Sequence, residues 1–148
     1  MTLERQYCTF CVGDLFLGVE VLKVQEVIRS QVMTKVPLAH EAVRGLINLR
    51  GQIVTGVDLR QRLGLGASTS GREPMNVVIR TGDDTVSLLV DTIGDVVDVD
   101  ETLHEDPPPT LPPQARGLIT RVYKLPNRLL LTLDCERVLA LEPSGAPQ

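Results

Sequence analysis

The sequence has no tryptophan, and aromatic residues make up only 3% of its 148 residues. Modules that grip extended peptides usually line their grooves with aromatic rings, so two tyrosines and two phenylalanines argue against that role. Histidine is almost as scarce. His40 and His104 lie far apart, and neither has a partner at metal-ligand spacing. There are three cysteines. Cys8 and Cys11 form a C-x-x-C, but Cys8, Phe10 and Val12 alternate with polar Thr9 as a strand does. Residues three apart on a strand point to opposite faces, so these thiols are expected to share neither a metal nor a bridge. Glycine-rich phosphate loops and a nucleophile elbow are missing. The acidic pairs Asp83-Asp84, Asp100-Glu101 and Glu105-Asp106 sit in apparent turns and read as solvated charges. No catalysis, metal or cofactor is expected. A net charge of −4 supplies no basic face for nucleic acid. Apolar runs such as Val86–Val90 are too short to cross a bilayer. The charged stretch Met1–Tyr7 lacks an apolar h-region, so no signal peptide and a reducing, cytoplasmic setting are expected.

What is present is an internal repeat. Gly13-Asp14 through Ile28 matches Gly82-Asp83 through Val97 without gaps, at an offset of 69 residues. Gly45-Leu46-Ile47 matches Gly117-Leu118-Ile119 at 72, and Val57-Asp58 with Leu63 matches Leu133-Asp134 with Leu139 at 76. The chain therefore reads as two related halves, about 1–70 and 71–148, within one unit. Each half opens with a strand and a Gly-Asp turn (Gln6–Val12; Met75–Arg80), followed by an alternating strand (Leu15, Leu17, Val19, Val21; Val86, Leu88, Val90). A short helical turn is expected over Leu22–Ile28, whereas Gly94 and its flanking valines favour strand. Hairpins follow, Val43–Leu49 with Ile53–Val57 and Leu118–Tyr123 with Leu129–Leu133. Asp58 and Asp134 are placed to cap closing helical turns, the second running to Leu141. The proline-rich stretch His104–Pro113 cannot continue a sheet and reads as a semi-rigid crossover. Ala67–Glu73 reads as a flexible linker and Pro143–Gln148 as a frayed tail. Short strands at this spacing point to a mainly β fold of two closed barrels with short helices.

Four stretches resemble the CheW-like domain family of bacterial chemotaxis coupling proteins. They are Tyr7–Ile28 with its Val21-Leu22-Lys23-Val24-Gln25-Glu26-Val27 core, Val43–Arg60 with Asn48-Leu49-Arg50-Gly51, Leu89–Val96, and Gly117–Ile119 followed by Leu133-Asp134. The resemblance spans nearly the whole chain, 1–148, as a single CheW-like domain. It implies two intertwined five-stranded SH3-like barrels and a non-catalytic scaffold adaptor. Such an adaptor couples the cytoplasmic tips of methyl-accepting chemoreceptors to the regulatory domain of a CheA-type histidine kinase, recruited from the cytoplasm to membrane-associated arrays. It inserts into no membrane and is monomeric when isolated. The positions carried over for a receptor-binding groove are Val24, Glu26 and Arg50, with Gly45, Leu46, Val54, Val86, Leu88 and Val90 as its walls. The family often has a proline before the Val-Asp-Leu motif, where this chain has Val54-Thr55-Gly56-Val57. The Pro107–Pro113 segment is unusual for the family, and no receiver domain is expected beside the unit. An adaptor for a non-motility array and a free-standing SH3-like peptide-binding module are the alternative readings.

Overall fold

The computed structural model describes residues 4–29, 31–66, 73–82 and 84–140. Ten strands alternate with short helical turns. They are β1 (Glu4–Val12), β2 (Leu15–Glu20), β3 (Val24–Ile28), β4 (Val43–Leu49) and β5 (Gln52–Asp58), then β6 (Met75–Thr81), β7 (Asp84–Val90), β8 (Thr92–Asp100), β9 (Ile119–Lys124) and β10 (Leu129–Leu133). Among the described residues, three α-helices of one turn each accompany them: α1 (Leu59–Arg62) after β5, α2 (Pro113–Arg116) before β9 and α3 (Cys135–Val138) after β10.

The strands form two five-stranded sheets. Sheet A runs β8-β1-β2-β10-β9 and sheet B runs β3-β6-β7-β5-β4. Each sheet thus takes the first two strands of one half and the last three of the other. The pairing registers repeat with the sequence. Phe10 opposite Ile93 in sheet A becomes Ile79 opposite Val24 in sheet B, a shift of 69 residues for both partners. Leu131 beside Leu17 becomes Thr55 beside Val86. Leu130 opposite Tyr123 becomes Val54 opposite Ile47.

This pairing corrects one sequence match. Gly45 lies within β4, whereas Gly117 follows α2 and precedes β9. The partner pairs Gly45–Gly56 and Arg121–Thr132 show that Arg121 is the true counterpart of Gly45, at the same 76-residue offset as Asp58 and Asp134. The expected helical turn over Leu22–Ile28 is also corrected. Only Val21–Lys23 turns, as a single 3₁₀ turn, and Val24–Ile28 is strand. Its β-branched residues gain backbone partners on β6 that a helix would forgo.

Asp58 accepts from the amides of Arg60 and Gln61, and Asp134 from that of Arg137, as N-caps do. α3 ends at Val138, short of the expected stop, and Leu141 lies outside the described residues. So do residues 67–72 of the expected linker and the tail 143–148. Arg62 reaches from α1 to the carbonyls of Val138, Arg137 and Ala140, satisfying the end of α3.

The core has three parts. A central cluster sits between the sheets and joins Phe10, Leu17 and Val57 to Val77, Leu88 and Leu131. The other face of sheet A gathers Tyr7, Phe16, Val99, Tyr123 and Leu130, one from each of its strands. Sheet B gathers Ile28, Ile47, Leu49, Val54 and Val78, from four of its strands. Both edge strands of each sheet reach one cluster, so each sheet is strongly curved. Tyr7 and Cys11 face sheet A's own cluster while Phe10 and Val12 face the centre, and all three cysteines are free thiols.

The proline-rich segment is folded rather than extended. Pro108–Leu111 makes a turn that drives Leu111 into the central cluster, and Pro113 starts α2, where its missing N–H costs nothing. Arg116 holds this turn by donating to the carbonyls of Pro109 and Leu111.

Candidate functional site

The curvature of sheet B brings its two edges together at Glu26 and Arg50. Glu26 lies on β3, and Arg50 is the first residue of the two-residue turn between β4 and β5. Arg50 has φ +51° and Gly51 +89°, the pair of left-handed conformations that a tight hairpin of this twist requires. Asn48 stabilises the turn by accepting from the Gly51 amide at 2.9 Å. The Arg50 guanidinium donates to the Glu26 carboxylate. The side chain of Arg50 is 72% exposed and that of Glu26 only 20%, so the acid acts as the fixed anchor and the arginine as the presented group. Two exposed apolar side chains border this pair in sequence, Val27 beside Glu26 and Ile53 three residues beyond Arg50. Sequence reading did not single them out, because both occupy ordinary strand positions.

The remaining expected groove residues fall into two sets. Val24, Leu46 and Val86 are half-buried, the first and last packed against the central cluster. Val54, Leu88 and Val90 are fully enclosed, Val54 in sheet B's own cluster and the other two in the centre. Gly45 is buried opposite Gly56, and the side chain of Met33 lies against both. Gly56, which stands in the stretch where the family often has a proline, gives room for the Met33 thioether.

A second polar node lies where β7 hands over to β8, that is, where the chain leaves sheet B for sheet A. Asp91 accepts from Arg60 at 3.1 Å and from the Gly13 amide at 2.8 Å, tying α1 and the β1–β2 turn to the junction. Burial pushes the Asp91 carboxyl up, but the bonds from Arg60 and Gly13 and the arginine's charge outweigh it and hold the group below its usual range. A depressed carboxyl stabilises the fold fully above its unfolded value near 3.8, and loses that contribution as pH falls through the lower folded value. Asp91→Asn is therefore expected to lower stability by about 1–2 kcal/mol at pH 7. That gap should narrow below about pH 4. Urea unfolding at both pH values checks this, and an unchanged gap would show that charge plays no part.

Two of the thiols are held in their protonated form. Burial raises Cys8, and burial above all raises Cys135 to about 11. Among the described residues, no three His, Cys, Asp or Glu side chains are grouped to hold a metal ion, and no helix is long and apolar enough to cross a membrane. The site's chemistry is that of contact: a presented guanidinium beside apolar side chains on a curved sheet.

Known proteins share this plan. The sequence profile of the CheW-like domain matches residues 6–142. The chemotaxis protein CheW of Bacillus subtilis is 32% identical over 91% of this chain and 86% of its own length. That of Klebsiella aerogenes is 26% identical over 95% and 85%. In the solved structures, the scaffolding protein CheW of Thermoanaerobacter tengcongensis superposes with a TM-score of 0.82 at 22% identity, covering 96% of both chains, so it shares the fold. On this profile and these relatives, the chain belongs to the CheW-like domain family.

Proposed function

We propose that this chain is a non-catalytic scaffold adaptor of the cytoplasm. In this reading it joins the cytoplasmic tips of methyl-accepting chemoreceptors to the regulatory domain of a CheA-type histidine kinase. Family membership supports the scaffold class. The observation that carries the receptor side is the presentation of Arg50, 72% exposed and braced by Glu26 across the mouth of a curved sheet. Arginine is favoured at binding centres because its planar fork makes directed hydrogen bonds while its stem packs on apolar surface. Val24, Leu46 and Val86 are half-buried and border the proposed groove, while Gly45, Val54, Leu88 and Val90 support it from beneath.

Arg50→Ala should melt like the parent, since exposed side chains contribute within about 0.5 kcal/mol. Its affinity for a receptor cytoplasmic fragment should fall by about 1–2 kcal/mol or more, the size of a hot-spot truncation. Affinity for the kinase regulatory domain should survive, because that contact is expected on another face. Calorimetric titration of both partners on the same variant decides. Equal loss for both partners, or a large drop in Tm, would remove Arg50 from the receptor site. Exchanging the charges in one variant (Glu26→Arg with Arg50→Glu) should keep the ion pair but not the receptor affinity.

A further inference from the structure

We propose that sheet A carries a second binding site, for a small apolar carboxylate, in the cleft between the β1–β2 turn, the proline turn and β10. This inference is independent of the receptor reading. The cleft encloses about 440 Å³, a volume within the usual range for small-molecule sites. Its walls are apolar: Leu15 and Phe16 from the β1–β2 region, Leu111 from the proline turn, and Leu129 and Leu131 from β10. At its rim the Arg128 guanidinium lies over the Phe16 ring, 3.8 Å from the centroid. Among the described residues Arg128 makes no ion pair, so its fork of N–H donors remains available at the edge of an apolar chamber.

The internal repeat supplies a control for whether the fold needs this lining. The registers equate Leu15 with Asp84, Phe16 with Thr85, Leu131 with Thr55 and Arg128 with Gln52. At those places sheet B carries polar side chains, and Gln52 donates to Thr85 at 3.2 Å. Only Leu129 keeps an apolar counterpart, Ile53. The same backbone arrangement therefore forms with polar side chains at the places of Leu15, Phe16 and Leu131, although in sheet A Leu131 also belongs to the central cluster and Phe16 to the sheet's own. An apolar body in the cleft would cover Leu15 and Leu129, the more exposed of its walls, and a terminal carboxylate would meet Arg128. Asp14 also stands at the rim, so the sign of charge preferred is a real choice between it and Arg128. Both residues are exposed, but the guanidinium is held over the cleft's edge by its stacking on Phe16, which favours an anion there.

The test titrates the isotope-labelled full chain with octanoate below its micelle-forming concentration, and in parallel with octanol and octylammonium, following amide shifts. Octanoate should bind in the millimolar range or better, with shifts confined to Cys11–Phe16, Thr110–Leu111 and Arg128–Leu131. Exposed charge pairs are modest, so octanoate should exceed octanol by about three- to fivefold. Arg128→Gln should abolish that difference while leaving octanol binding and Tm as they were. Absence of localised shifts with any of the three probes would overturn the site. Octylammonium binding as well as octanoate would overturn the carboxylate assignment. So would a loss of octanol binding in Arg128→Gln, since the arginine would then be shaping the wall rather than meeting an anion.

Discussion

Expressed apart, residues 1–70 and 71–148 should each fail to melt cooperatively, and mixing them should restore a cooperative transition and dispersed amide spectra. Sheet A needs β1 and β2 from one fragment and β8, β9 and β10 from the other, and sheet B has the reciprocal need. A fragment alone would keep its hairpins, and isolated hairpins are marginal in water. The central cluster would be halved as well, because Phe10 and Leu17 lose Leu131 while Val77 and Leu88 lose Val57. A core of about 70 residues rarely supplies more than about 3–5 kcal/mol even when complete. Calorimetry of each fragment and of the mixture checks this, and two separately melting fragments would show that the sheets do not depend on strand exchange.

Among the described glycines, Gly45 should tolerate an added methyl least, with Gly45→Ala lowering stability by about 2–4 kcal/mol. A Cβ there would sit 2.6 Å from the carbonyl oxygen of Thr34, and the backbone is at φ +154°. The obstacle is backbone, not a side chain that can rotate away. Relief requires parting the reciprocal bonds between Thr34 and Leu46, 2.8 and 2.9 Å long, that fix the segment before β4. Gly51→Ala is the control, because it has φ +89° but nothing within 4 Å of the added carbon. It should cost only the conformational strain of about 1 kcal/mol. Urea unfolding of the two variants separates crowding from strain, and equal losses would show that the Thr34 approach is not limiting. A binding defect in Gly45 variants is accordingly expected to follow from misplacement of β4 as well as from any direct contact.

Much of the local structure was legible because its signals are local. Arg50-Gly51 between two apolar runs marks the hairpin, and Asp58 and Asp134 mark the caps. Their positions depend on neighbours within a few residues. The repeat was legible too, though the match of Gly45 with Gly117 was misleading. Three identical residues, Gly-Leu-Ile, carry no pairing information, and the true register is set by hydrogen bonding along β9 and β10. The reading of Leu22–Ile28 as a turn went wrong for a related reason. Val24 and Val27 satisfy a helical spacing, and the competing interest of β6 in that segment is invisible locally. Strand exchange between halves was equally hidden by the residues themselves, since β1 and β6 present similar edges; only the family resemblance implied it.

The candidate site shows the same division. Glu26 and Arg50 are 24 residues apart and meet only because sheet B curves until its edges approach. Their types were noticeable, but their contact was not. Val54, Leu88 and Val90 could not be sorted from half-buried Val86 or Leu46, because these strands pack on both faces and alternation no longer distinguishes wall from interior.

The interleaving of the two halves also sets a timetable for synthesis. β1 and β2 leave the ribosome early, yet the strands that flank them, β8 and β10, lie roughly 90 to 110 residues further on. At about 5–20 residues per second, the first hairpin waits on the order of 5 to 20 seconds with both edges unpaired. During that time Phe10, Leu17 and Val19 remain without the partners that later enclose them. The nascent chain therefore shows unpaired strand edges and uncovered apolar side chains until β10 has emerged, and sheet A cannot be completed before that point.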